Sequence, residues 1–126
     1  MWRSTVWWEE NNSFVIEDTI ENTGDQKQNF EILYHMNMGY PLLDADGKAS
    51  IYQPKLNMGL EIRFDAKSLD GFVEWKMMGV RDYVLGLECG NCYPDGRSAM
   101  RKSGMLKELA PGEKTTYRVR IKVISE

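Results

Sequence analysis

A chain of 126 residues has room for one domain and one modest core, and 42% hydrophobic with 28% charged residues is the balance of an ordinary globular protein. The net charge of −3 is spread along the chain without the basic stripe of a nucleic-acid binder, and apolar runs such as Tyr83-Val84-Leu85 are far too short to cross a bilayer. The opening Met1-Trp2-Arg3-Ser4-Thr5-Val6 has no apolar signal-peptide core, so a soluble cytoplasmic protein is expected.

The dominant period is two. Trp2–Trp8 reads as a strand, joined by Glu9-Glu10-Asn11-Asn12 to a second in which Phe14, Ile16 and Ile20 alternate with Val15, Glu17 and Thr19. Asn22-Thr23-Gly24-Asp25 then turns the chain into one strand over Gln28–Met36. Phe30, Ile32 and Tyr34 share one of its faces, and Glu31, Leu33, His35 and Asn37 the other. Gly39-Tyr40-Pro41 bends the chain, Asp44-Ala45-Asp46-Gly47 is a loop, and Ile51-Tyr52 and Leu60–Phe64 are short strand candidates. Phe72–Met78 and Tyr83–Glu88 are two more, joined through Gly79-Val80-Arg81-Asp82. Met100–Leu109 reads as loop with at most one short strand, and Pro111-Gly112 turns the chain into the clearest strand of all. There Tyr117, Val119, Ile121 and Val123 alternate with Arg118, Arg120 and Lys122. Six to eight short strands, with no helix of normal length, predict an all-β antiparallel sandwich in one domain over residues 1–126.

The residues able to do chemistry are few. His35 is the only histidine and stands near a predicted sheet rim, with Asn37 on its face. Glu88 ends a strand on the face opposite Tyr83, Leu85 and Leu87, beside Val84 and Gly86, which predicts partial burial; the competing reading has it capping a loop or paired with Arg97. Glu74 and Lys76 share a face and could hold polar groups of a ligand while Trp75 packs in the core. Arg97 carries a donor fork suited to hydroxyls or carboxylates. Cys89 and Cys92 lack the further ligands that a zinc site needs, and the Gly and Pro around them read as loop, so they are expected to be reduced structural thiols with no metal. Asp44, Asp46 and Gly47 faintly suggest a calcium loop, but position 55 is Lys55 where a glutamate is needed.

The series Tyr34-His35-Met36-Asn37-Met38-Gly39-Tyr40-Pro41-Leu42-Leu43, Glu74-Trp75-Lys76-Met77-Met78-Gly79, Gly86-Leu87-Glu88 with Asn91-Cys92, and Gly96-Arg97 resembles the DUF4432 branch of the aldose 1-epimerase (galactose mutarotase-like) superfamily. The resemblance runs from about Trp7 to Val123 and corresponds to the C-terminal half of such a protein, part of a larger supersandwich. It implies a cofactor-free sugar isomerase. His35 would protonate the ring oxygen while Glu88 takes the proton of the anomeric hydroxyl, with Asn37, Glu74, Lys76, Asn91 and Arg97 binding the sugar. The two catalytic side chains are then expected on one sheet surface, far enough apart to flank a pyranose ring. A non-catalytic carbohydrate-binding sandwich, or an inactive fragment of the enzyme, is the competing class. The expected partners are a small-molecule sugar and, because half of a large sandwich leaves apolar surface uncovered, a second copy in a two-fold dimer.

Overall fold

Alternating side chains build two antiparallel layers. The computed structural model describes residues 1–38, 42–44, 47–80 and 83–125; within the strands, the side chains of Asn37, Met38, Tyr83 and residues 42–44 lie outside that description. The turns expected at Gly39-Tyr40-Pro41, through Ala45-Asp46 and at Arg81-Asp82 also lie outside the described residues.

The strands are β1 (Trp2–Glu9), β2 (Ser13–Glu21), β3 (Gln28–Phe30), β4 (Leu33–Met38), β5 (Leu42–Asp44), β6 (Lys48–Gln53), β7 (Met58–Phe64), β8 (Gly71–Met78), β9 (Tyr83–Gly90), β10 (Lys107–Leu109) and β11 (Lys114–Ile124), with one helix, α1 (Arg97–Lys102). Six strands form the larger layer in the order β1-β2-β11-β7-β6-β5. Strands β4-β9-β8 form the smaller layer, and β10-β3 is a separate two-stranded ribbon. The fold is thus an all-β antiparallel sandwich. No described helix is long and apolar enough to cross a membrane.

The local chemistry accounts for the pairings. The β1–β2 hairpin closes through Asn11 and Asn12, both at positive φ. Asparagine tolerates that left-handed conformation better than most side chains. In β11, Tyr117, Val119 and Ile121 are buried while Arg118, Arg120 and Lys122 face water, as the alternation predicts. The core lies between the layers. Ala49, Ile51, Ile62, Tyr117, Val119 and Ile121 of the larger sheet meet Tyr34, Leu85, Leu87 and Cys89 of the smaller one, and Phe64 stacks on Phe72 across the gap at 5.8 Å.

Two polar side chains tie the layers together. Asp18, on the inward face of β2, is 2% exposed. It accepts hydrogen bonds from Tyr34 Oη at 2.7 Å and Trp2 Nε1 at 3.0 Å. Burial, then the bond to Asp18, hold the Tyr34 phenol far above its ordinary pKa. Asn91 is fully buried, accepts from Ile32 N at 2.9 Å and donates through Nδ2 to Tyr117 Oη at 3.2 Å.

Two expectations change here. The single strand over Gln28–Met36 is broken at Glu31-Ile32 into β3 and β4, which belong to different sheets. Gly90 explains the close packing at that crossing, since a Cβ there would sit 2.8 Å from Ile32 O. The segment Met100–Leu109 contains the strand β10, but it is preceded by α1, a six-residue helix too short to impose a helical period on the sequence.

Candidate functional site

Cross-strand register brings the site together. On the smaller sheet, His35 of β4 lies directly opposite Glu88 of β9, and Val73 of β8 lies opposite Glu88 on its other side. Directly opposed residues project to the same face. That face is turned away from the larger sheet, because Tyr34, Leu85, Leu87 and Cys89 on the alternate positions point into the core. His35 and Glu88 therefore share one sheet surface.

Their separation differs from the expectation. His35 Nε2 is 2.8 Å from Glu88 Oε1, so the pair is in contact and does not flank an empty ring-sized gap. The burial is strongly unequal: the side chain of Glu88 is 4% exposed, that of His35 53%. Although close, the two atoms are not aligned as a hydrogen bond, and among the described residues Glu88 Oε1 has no aligned donor. Glycines at 86 and 90 flank Glu88 on the same face of β9, and the next row runs Asn37, Gly86, Trp75. A buried carboxylate oxygen thus lies behind a half-exposed imidazole, on a strip of strand free of other large side chains.

Trp75 is the residue that sequence reasoning misplaced. It is not a core side chain: it is 42% exposed, on the face of His35 and Glu88, with its ring centroid 6.4 Å from the imidazole. The same register removes Glu74 and Lys76 from the site. They oppose Leu87 and Leu85, so they project to the other face of the sheet, where they pair with each other at 3.5 Å. Asn37 keeps the parity of His35 on β4, while its side chain lies outside the described residues.

Two other sugar-binding candidates are engaged elsewhere. Asn91 has no exposed surface and both ends of its amide are committed, which makes it a structural bridge instead of a sugar ligand. Arg97, the first residue of α1, pairs with Glu31 at 3.5 Å, so the reading that set it against Glu88 is also corrected. Cys89 and Cys92 are buried free thiols, and burial pushes Cys89 up to about 12. Among the described residues no group of three or more His, Cys, Asp or Glu side chains could hold a metal ion.

The sandwich has counterparts of known structure. A proposed aldose 1-epimerase of Klebsiella pneumoniae superposes with a TM-score of 0.86 at 19% identity, over 99% of this chain and 46% of that one. The Slr1438 protein of Synechocystis gives 0.70 at 19% identity, over 94% and 53%. A proposed aldose 1-epimerase of Escherichia coli K12 gives 0.59 at 15% identity, over 91% and 57%. At such identities the likeness is one of fold. The chain spans about half the length of these structures. No curated protein matches it. The family model described as a domain of unknown function, DUF4432, matches residues 1–53 and 45–123, nearly the whole chain, and the protein belongs to that family.

Proposed function

We propose that the His35–Glu88 face is a sugar site of the aldose 1-epimerase kind, exchanging the anomers of an aldose. The observation that carries this reading is Glu88 Oε1, a buried carboxylate oxygen without an aligned donor among the described residues, 2.8 Å from a half-exposed imidazole. A buried carboxylate oxygen without an aligned hydrogen bond is costly, and buried polar groups seldom bear that cost without a chemical reason. An acceptor held ready for a proton supplies one.

Contact between the two groups suits this chemistry. The ring oxygen and the anomeric hydroxyl are bonded to the same carbon, closer together than the two ends of a hydrogen bond. An acid and a base with touching tips can address both oxygens. Glu88 takes the proton of the hydroxyl as His35 gives one to the ring oxygen; the ring C–O bond breaks and a carbonyl forms at that carbon. Rotation about the adjacent C–C bond, then reclosure with the roles reversed, returns both protons and yields the other anomer. The Trp75 indole, exposed beside the imidazole, offers an apolar platform for the C–H face of the sugar. The same platform favours a second reading, a carbohydrate-binding face without turnover.

The test is anomer exchange measured by NMR saturation transfer across a panel of aldoses. The expected result is acceleration by the wild-type chain, reduced on the order of 10²–10⁴-fold in His35→Asn and in Glu88→Gln. Sugar binding without acceleration would replace the enzyme with the binding module, and no binding of any sugar would overturn both.

A further inference from the structure

The larger sheet ends in two very different edges. At one end β5 is three residues long, a length that offers little to pair with. At the other end β1 is eight residues long, with no proline, no lysine and one arginine. Mutual backbone hydrogen bonds between Met1 and Glu21 fix the phase of the β1–β2 ladder. Alternation from that pair turns the backbone N–H and C=O groups of Trp2, Ser4, Val6 and Trp8 outward, away from β2.

The side chains of those four residues point to the inward face of the larger sheet, since they oppose Ile20, Asp18, Ile16 and Phe14 of β2. The smaller sheet does not reach over them. Trp2 is 69% and Trp8 76% exposed, and Val6 is also exposed, on a face that is core elsewhere in the same sheet. Among the described residues, a long open edge and an uncovered apolar strip therefore coincide on one strand. That combination pairs readily with another strand.

We propose that β1 is a homodimer interface, in which two copies pair antiparallel about a two-fold axis through Thr5, extending the larger sheet across both subunits. The side chains select the occupant and the register. This register uses all four outward-facing residues: Trp2 meets the partner's Trp8, and Ser4 meets the partner's Val6. Between these rows, Arg3 lies opposite the partner's Trp7, a cation against an indole face, and Thr5 opposes the partner's Thr5 on the axis. The aromatic pairs fall on the apolar strip, and no like charges meet. A shift of one residue would put Trp2, Val6 and Trp8 of the two copies on opposite faces of the joined sheet. The interface lies on a different layer from His35 and Glu88, so it stands independently of the sugar reading.

The axis at Thr5 gives a charge-swap test. Thr5 faces water on the outward side of the sheet, so charge is tolerated there in the folded subunit. Light scattering of the full chain at micromolar concentration is expected to give twice the chain mass. Thr5→Lys and Thr5→Glu each set like charges face to face and are expected to halve that mass, and an equimolar mixture of the two variants to restore it. A wild-type monomer overturns the proposal, as does a dimer that survives both substitutions. Variants that are monomeric alone and remain so when mixed overturn the axis at Thr5.

Discussion

Replacing Asn91 by alanine separates a structural amide from a sugar ligand. The truncation leaves Ile32 N without its acceptor at 2.9 Å and Tyr117 Oη without its donor at 3.2 Å, in a place with no exposed surface. Two neutral hydrogen bonds contribute about 1 kcal/mol each, and an amide left unpaired in the core adds a desolvation cost of about 1–3 kcal/mol, so the expected loss is about 3–5 kcal/mol. At about 2.1 cal/mol/K per residue, a chain of 126 residues unfolds with an entropy of about 0.26 kcal/mol/K, so each kcal/mol moves Tm by about 4 °C. Thermal unfolding followed by circular dichroism is expected to show Tm lower by about 12–20 °C. A Tm within about 2 °C of wild type, accompanied by weakened sugar binding, would refute the structural assignment and restore Asn91 to the site.

Two further outcomes follow from the buried titrating groups. With burial pushing Cys89 up to about 12, its thiol carries almost no thiolate near neutrality; a thiol reagent at pH 8 is expected to modify it only on unfolding, and rapid labelling of the native protein would contradict this. Tyr34 is raised above its unfolded value of about 10, so its contribution is fully present below pH 10 and is lost as pH rises beyond it, because the unfolded chain releases the proton first. Denaturant unfolding from pH 9 to 11 is expected to show that loss in wild type and less of it in Tyr34→Phe, whose stability at pH 8 is already lower by about 1.5–3 kcal/mol through the lost bond to the Asp18 carboxylate; identical pH slopes would refute the assignment.

Parity within a strand was readable; correspondence between strands was not. The alternation in Tyr83–Glu88 correctly sets Glu88 opposite Leu85 and Leu87, and that in Thr116–Ile124 separates core from water residue by residue as far as Lys122. Glu74 and Lys76 share a face, as their spacing says. Whether it is the face of Glu88 depends on Val73 lying opposite Glu88, a register set by long-range pairing. The same one-residue offset moves Trp75 from the core to the candidate site. The break at Glu31-Ile32 was hidden because Phe30, Ile32 and Tyr34 keep a regular alternation while the chain changes sheets. Full burial of Asn91 left no mark on its neighbours in sequence; a glycine-rich loop is equally compatible with exposure.

The place of β11 has a consequence for the order in which the chain can fold. It lies between β2 and β7, so Asp18 must find Tyr117, and Ile62 must find Ile121, before either half of the larger sheet has its ladder closed. The β1–β2 hairpin can zip locally, yet its inner side stays open until residues 114–124 have been synthesised. Closing so large a loop costs entropy before the contacts repay it, which makes folding slow and concentrates it in one late step. Until then Phe14 and Ile16 wait uncovered beside the exposed tryptophans of β1. The nascent chain therefore depends on its last described strand for protection, and a stop anywhere before Lys114 would release a sheet in two separate, adhesive pieces.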